Sequence, residues 1–247
     1  MDASSIAVVC GPTASGKSGV GMLLARAFHG SIISADSRQI YRRFNIGTAK
    51  PTTERHEVPH YGIDVVDPTE RYSAAQWAAD AGGWIEEAKA SSRIPIVVGG
   101  TGLYIRSLFE PLFESPELDP VKRAELQEQF ATMCTNDLRN WCIRLDPEKA
   151  HLGRTQLMRA IETAELTGKT LSHLQKTATG KRTTENAPRY LVLDPGPKLA
   201  NMIETRVDQM IAHGWLEEVR QLMADIPGDA PAWKSSGYRV LREVVKG

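Results

Sequence analysis

The 247-residue sequence is poor in cysteine: Cys10, Cys134 and Cys142 are the only three, and no two stand in CxxC spacing. An odd number without that spacing predicts neither a disulfide framework nor a zinc cluster, so all three are expected to be buried thiols. Net charge is lacking too. Thirty Lys and Arg balance thirty Asp and Glu, and the overall charge therefore announces no polyanionic partner. No stretch approaches the roughly 18 consecutive apolar residues of a membrane helix. The N-terminus, Met1-Asp2-Ala3-Ser4-Ser5, leads into a strand-like segment without a basic leader, and the expectation is a cytoplasmic protein with no membrane partner. Internal repeats and low-complexity tracts are also missing. Hydrophobic residues make up 41% of the chain, ample for a sizeable core.

What is present alternates in its first hundred residues. Short runs rich in Ile and Val at 6–10, 31–34, 63–66 and 94–98 read as strands, separated by helical patterns at 17–28 and 73–90. Ser73 is a good N-cap for the second helix, whose Ala75, Trp77, Ala78, Ala81, Ile85 and Ala88 lie largely along one side. Strands alternating with helices predict a parallel sheet covered on both faces, with ligands beyond the C-terminal strand ends. From 111 to 188 the strand signal disappears and helical patterns run at 121–133, 135–143 and 156–166, with Thr167-Gly168 as a stop. The polar tract "TATGKRTTENA" (177–187) reads as a flexible loop. Strand signal returns at 189–194 and an amphipathic helix at 199–224. The expected organisation is an α/β core (1–110 and 189–247) interrupted by an all-helical insertion (111–188).

Charge is unevenly spread around that insertion. Residues 110–148 carry four Lys/Arg against nine Asp/Glu, whereas 149–189 carry eight against three. A solvated mixed surface is the commoner source of such a reversal; a basic face toward a polyanion is the sharper one.

The most specific local feature is Gly11-Pro12-Thr13-Ala14-Ser15-Gly16-Lys17-Ser18, which fits G-x-x-x-x-G-K-[ST] between a strand and a helix. Such a loop curls its N–H groups inward around a phosphate at a helix N-terminus; the Lys neutralises phosphate oxygens and the Ser hydroxyl serves as a Mg²⁺ ligand. The fold expectation is therefore a P-loop NTPase-like parallel sheet. The acid of an ATPase should follow an apolar strand, yet 94–98 ends in "GGTGLY". A carboxylate appears instead after the second strand, as Asp36 in "SADSRQIY", at the same sheet edge as the phosphate loop. On its own an Asp closing a strand reads first as a turn former. At that edge it could also act as a base on a bound substrate.

Taken together, "GPTASGKS" (11–18), "SADSRQIY" (34–41), "IGTAKPT" (46–52), "PHYGIDVVDPTERYSAAQW" (59–77) and "VGGTGLY" (98–104) resemble the tRNA dimethylallyltransferase family, isopentenyltransferases that prenylate adenine. The likeness continues through "LMRAIETAELTGKTLS" (157–172) and "ETRVDQMIAHGWLEEVRQL" (204–222), and so covers nearly the whole chain in order.

The resemblance implies transfer of a dimethylallyl group from dimethylallyl diphosphate to the exocyclic amine of the adenosine 3′ of the anticodon, in tRNAs reading U-starting codons. It implies that Thr13, Ala14, Ser15, Gly16, Lys17, Ser18 and Arg206 hold the diphosphate, with Mg²⁺ on Ser18. Asp36 is then the catalytic base and Thr101 contacts the reacting centre, though Thr101 could also cap the helix that follows it. Asp36, Ser37, Arg38, Gln39, Thr101, Arg123, Gln156 and Arg159 fall at tRNA-contacting positions, and the protein is implied to be a monomer. The insertion would grip the anticodon stem-loop, with Lys149, Arg154, Lys181 and Arg182 following its phosphates. The chain departs from the family at Thr155-Gln156, where a Gln-Arg pair is usual, in a shorter linker before it, and in stopping at Gly247 where relatives run on into a basic helix. Two other readings keep the phosphate loop: an adenylate isopentenyltransferase making a cytokinin, and a P-loop small-molecule kinase.

Overall fold

The computed structural model describes residues 6–110, 118–177 and 188–247. The chain divides into two compact units, one comprising Met1–Phe109 and Arg182–Gly247, the other Glu110–Lys181. In chain order the first unit opens with β1 (Ala7–Cys10), α1 (Lys17–Ala27), β2 (Gly30–Ser34), α2 (Glu54–Glu57), β3 (His60–Tyr61), α3 (Ala74–Ala90), β4 (Ile94–Gly99) and α4 (Gly102–Phe109). The second unit supplies α5 (Pro120–Thr132), α6 (Thr135–Leu145), α7 (Arg154–Thr167) and α8 (Leu171–Thr177). The first then resumes with β5 (Arg189–Val192), α9 (Leu199–Ala212), α10 (Trp215–Asp225) and α11 (Tyr238–Lys246).

The five strands form one parallel sheet in the order β3-β2-β4-β1-β5. Alternation along the strands sends side chains to opposite faces. On one face Val9, Ile32, Ile96 and Val98 pack with Met22 and Ala25 of α1; on the other α3 lies against β2 and β4. Helix α3 buries Ala74, Trp77, Ala81, Ile85 and Ala88, a stripe close to the expected one except that Ala75 is exposed and Ala78 half-buried. Its start is a reciprocal capping box: Ser73 Oγ accepts from Gln76 N–H at 3.2 Å and Gln76 Oε1 accepts from Ser73 N–H at 2.9 Å. The Trp77 indole, fully buried, donates to Ser34 O at 3.0 Å, tying α3 to the C-terminal end of β2.

Three expectations need correction. The strand expected at 63–66 is not one: β3 ends at Tyr61, Asp64 adopts φ 57, and only Val66 bridges to Tyr41. An apolar run records burial, and a left-handed residue within it prevents a continuous ladder. The helix expected over 199–224 is two helices, because Gly214 at φ 90 turns the chain between α9 and α10. The cysteines also differ from expectation: Cys142 is buried, but Cys10 is half-buried and Cys134 exposed.

The second unit is helical throughout its described residues, around a core of Leu126, Phe130, Leu138, Cys142, Leu157, Ala160, Ile161 and Leu171. Asp119 caps α5 through Val121 N–H at 2.9 Å. Buried Asp146 caps α8 by accepting from Ser172 N–H at 2.9 Å and Ser172 Oγ at 2.6 Å. Helix α7 ends at Gly168 in the left-handed region, where the sequence pattern places its stop. Residues 178–187, most of the polar tract, lie outside the described residues.

Candidate active site

The phosphate loop follows β1 and runs into the N-terminus of α1, whose N-cap is Gly16. Gly11 takes φ +149, and a Cβ there would stand 2.4 Å from Leu193 O and 3.0 Å from Ser15 Oγ. Position 11 therefore admits no side chain. Lys17 Nζ donates to Pro12 O at 2.5 Å, which lays the lysine across its own loop. Ser15 Oγ is buried without a hydrogen-bond partner among the described residues, as fits a group that serves an anion in the cradle.

Asp36 emerges two residues beyond β2. Its Oδ1 accepts from Arg38 N–H at 2.8 Å, so the turn-forming role is real, and the same side chain also lines the pocket described below. Thr101 Oγ1 accepts from Ser37 N–H at 3.0 Å and lies 3.3 Å from Ser37 Oγ. Its carbonyl, by contrast, receives Tyr104 and Ile105 N–H at the start of α4. Backbone and hydroxyl thus do different things: Thr101 opens a helix and stitches the β4 and β2 loops together. The Gln39 amide is anchored within the protein at both ends. Its Nε2 donates to Thr48 O and Ala49 O, both at 3.1 Å, and its Oε1 accepts from Ser34 Oγ at 2.9 Å.

These segments meet α9 around a pocket of about 710 Å³, lined by the phosphate loop from Thr13 to Ser18, by Asp36, Gln39 and Ala49, by Gly99 and Gly100, and by one side of α9. Arg206 is the α9 residue expected there. Burial pulls the pKa of both Lys17 and Arg206 below the ordinary values, Asp36 opposes the change in each, and Arg206 pushes Lys17 further down. Two cations and one carboxylate therefore sense one another across the pocket, in the arrangement that attracts an anion beside a proton acceptor. The sequence reading missed Asn201, Met202, Thr205 and Gln209, which share the α9 wall, and Lys198, which caps that helix. Spacing of polar residues at 198, 201, 205 and 209 was the available signal, a helical face. Ser37 and Arg38 sit in the turn after β2, but neither lines the pocket.

The remaining candidates belong to the second unit. Arg123 on α5 is exposed and its Nε lies 3.5 Å from the buried Glu162, which also accepts from Gln127. Gln156 is spent as a cap, its Oε1 accepting from Gly153 N–H at 3.1 Å. Arg159 is exposed on α7. Arg154 differs from the expectation of a phosphate-following residue: its guanidinium donates to Phe130 O at 2.6 Å and Met133 O at 2.7 Å, closing the C-terminal end of α5. Lys149 is half-buried. Lys181 and Arg182 lie outside the described residues.

Comparison with known proteins bears on this geometry. The family model described as IPP transferase matches residues 39–247. A tRNA dimethylallyltransferase of Stenotrophomonas maltophilia (strain K279a) is 39% identical over 253 residues, covering 97% of this chain and 80% of that protein. One from Anaeromyxobacter sp. (strain K) is 39% identical over 246 residues, covering 98% and 81%. Among solved structures, the full-length tRNA isopentenylpyrophosphate transferase of Bacillus halodurans superimposes with TM-score 0.66 at 30% identity over 99% of this chain and 78% of that one. A eukaryotic dimethylallyltransferase acting on tRNA superimposes with TM-score 0.69 at 29% identity over 89% of this chain and 56% of that one.

Proposed function

We infer the function from one premise: the chain belongs to the IPP transferase family. It is a tRNA dimethylallyltransferase, and the reading extends to its particulars. The donor is dimethylallyl diphosphate, and the acceptor is the exocyclic amine of the adenosine 3′ of the anticodon in tRNAs reading U-starting codons. The observation that carries the chemistry is the convergence of Lys17, Arg206 and Asp36 on one pocket at the C-terminal edge of a parallel sheet.

In this reading the phosphate loop holds a leaving group. The amine nitrogen bonds to the allylic carbon, the C–O bond breaks, and pyrophosphate departs with the electron pair while Asp36 takes the proton from nitrogen. Loop N–H groups, Lys17 and Arg206 stabilise charge that grows on the pyrophosphate in the transition state, which is where stabilisation raises the rate. Asp36 is oriented by Arg38 N–H at 2.8 Å, so it approaches the amine already aimed. Thr101, bonded to Ser37, holds the two loops that flank the reacting centre.

The donor set suits Mg²⁺, an ion that prefers substrate phosphate oxygens and few protein ligands: Ser18, the last residue of the phosphate loop, lines the pocket. There the ion would neutralise part of the diphosphate charge. For an adenine to reach Asp36 it must leave the anticodon loop; the helical unit, with Arg123 and Arg159, is assigned the stem-loop, and the enzyme acts as a monomer. Among the described residues no helix is long and apolar enough to cross a membrane.

The test is to incubate the protein with labelled dimethylallyl diphosphate and Mg²⁺, offering an anticodon stem-loop, AMP, or ATP with small acceptors. Label on the stem-loop with release of pyrophosphate is expected. Label on AMP alone would identify the cytokinin-type enzyme, and phosphate transfer from ATP a kinase.

A further inference from the structure

The loop at 45–50, which overlaps "IGTAKPT", supplies Ala49 to the pocket wall and gives two carbonyls to Gln39. What holds this loop comes from far along the chain. Glu218 Oε2 on α10 accepts from Asn45 N–H at 3.1 Å and Ile46 N–H at 2.9 Å. The Tyr238 hydroxyl, at the start of α11, accepts from Gly47 N–H at 3.1 Å and donates to Glu218 Oε1 at 2.5 Å. Three consecutive backbone N–H groups are therefore received by one carboxylate and the phenol bound to it. Trp215 closes the arrangement: a Cβ at position 47 would fall 2.1 Å from its ring, so only glycine fits between ring and loop. Tyr238 is fully buried, and burial beside Glu218 keeps its phenol protonated.

The consequence reaches Gln39. With both Nε2 hydrogens given to Thr48 O and Ala49 O, the amide cannot rotate, and the only group it has left to offer is the second lone pair of Oε1, whose first accepts from Ser34. A fixed acceptor in this pocket suits a substrate that brings an N–H donor, as an exocyclic amine does. Were the 45–50 loop to shift, the amide could turn over and present a donor instead.

We propose that Glu218 and Tyr238 are positioning residues for the acceptor amine, acting through the 45–50 loop on the orientation of Gln39. The proposal rests on the prenyl-transfer reading above. Neither residue lines the pocket that the phosphate loop helps to form, so acceptor use should suffer while donor binding does not.

The experiment compares wild type, Tyr238→Phe, Glu218→Ala and Glu218→Gln, each also in a Gln39→Ala background, assayed well below their melting temperatures. Steady-state transfer to an anticodon stem-loop and pyrophosphate affinity by calorimetry are measured. Tyr238→Phe is expected to lower kcat/KM for the stem-loop about tenfold, since it takes the acceptor from the half-buried Gly47 N–H and frees the loop to shift, and to leave pyrophosphate affinity within twofold. Glu218→Ala should lose more and Glu218→Gln, which keeps an acceptor oxygen, should recover part of it. In the Gln39→Ala background the Tyr238→Phe effect should vanish, because the relay no longer has an end. Full additivity with Gln39→Ala, equal losses in donor and acceptor parameters, or an unchanged kcat/KM in Tyr238→Phe overturns the proposal. If Glu218→Ala does not fold, Tyr238→Phe and Glu218→Gln carry the same comparison. A wild-type protein that transfers nothing to the stem-loop refutes the parent reading instead.

Discussion

Replacing Asp36 by Asn separates the proton acceptor from the turn that holds it. In the native protein Oδ1 accepts from Arg38 N–H at 2.8 Å, and an Asn side-chain oxygen can do the same, so the turn survives. The stability cost should stay below about 1 kcal/mol, the net worth of an ordinary hydrogen bond, which for a protein of this size is about 2–4 °C in Tm at most. Catalysis should fall far more. Losing a general base costs roughly 10²–10⁴ in rate, or about 2.7–5.4 kcal/mol of barrier. Donor binding should move the other way or not at all. Asp36 raises the pKa of Lys17 and Arg206, which means its charge lies close to both, and removing it leaves the pocket more cationic toward a diphosphate. The assay is single-turnover transfer to an anticodon stem-loop beside pyrophosphate titration calorimetry, with Asp36→Ala as a control that loses the turn as well. A rate within threefold of wild type in Asp36→Asn would refute the assignment of Asp36 as the base. Pyrophosphate affinity reduced tenfold would show that the carboxylate organises the cradle and does not stand across from it.

Three further outcomes follow from the same geometry. Gly11→Ala sets a Cβ against Leu193 O at 2.4 Å and should cost about 1–3 kcal/mol of stability through overpacking and strain, abolishing donor binding; denaturant melts and calorimetry check both. Burial lowers the pKa of Lys17, and the diphosphate favours its charged form. Affinity for pyrophosphate should therefore hold while Lys17 is protonated and fall as pH rises through that lowered value, at a pH below the 10.5 of an ordinary lysine; Lys17→Arg, which does not deprotonate, should lack this limb. Burial alone would raise the Asp64 carboxyl, but hydrogen bonds and charge from Lys50 and Arg55 hold it below the ordinary value. Its stabilising contribution is complete above the unfolded pKa near 3.9 and is lost as pH falls through the lower folded value. Since Lys50 is almost wholly buried, Asp64→Asn should cost about 3 kcal/mol at neutral pH, and the gap to wild type should narrow under acid; urea melts across pH test this.

The phosphate loop and Asp36 were legible in the sequence because each depends on a few consecutive residues. A G-x-x-x-x-G-K-[ST] loop is a backbone conformation fixed by its glycines and by the strand and helix on either side. The cap at Ser73 and the stop at Gly168 are local in the same sense. The run at 63–66 and the amphipathic pattern at 199–224 misled because hydrophobic pattern reports which side is buried and says nothing of whether the backbone turns. Two left-handed φ angles, at Asp64 and Gly214, decided both.

By itself, then, the sequence determined the α/β alternation, the anion cradle, the carboxylate at the same sheet edge and, through ordered blocks of resemblance, the family. Only the tertiary structure decided what surrounds them: that α9 brings Arg206, Asn201 and Thr205 to the pocket, that Arg154 closes a helix, and that Glu218 and Tyr238 hold a loop more than 170 residues before them. The reason is physical. Torsional preference and hydrogen bonding between near neighbours are written in short stretches of chain, whereas the partner of a buried N–H or a cation is chosen by packing, which joins residues that sequence leaves far apart.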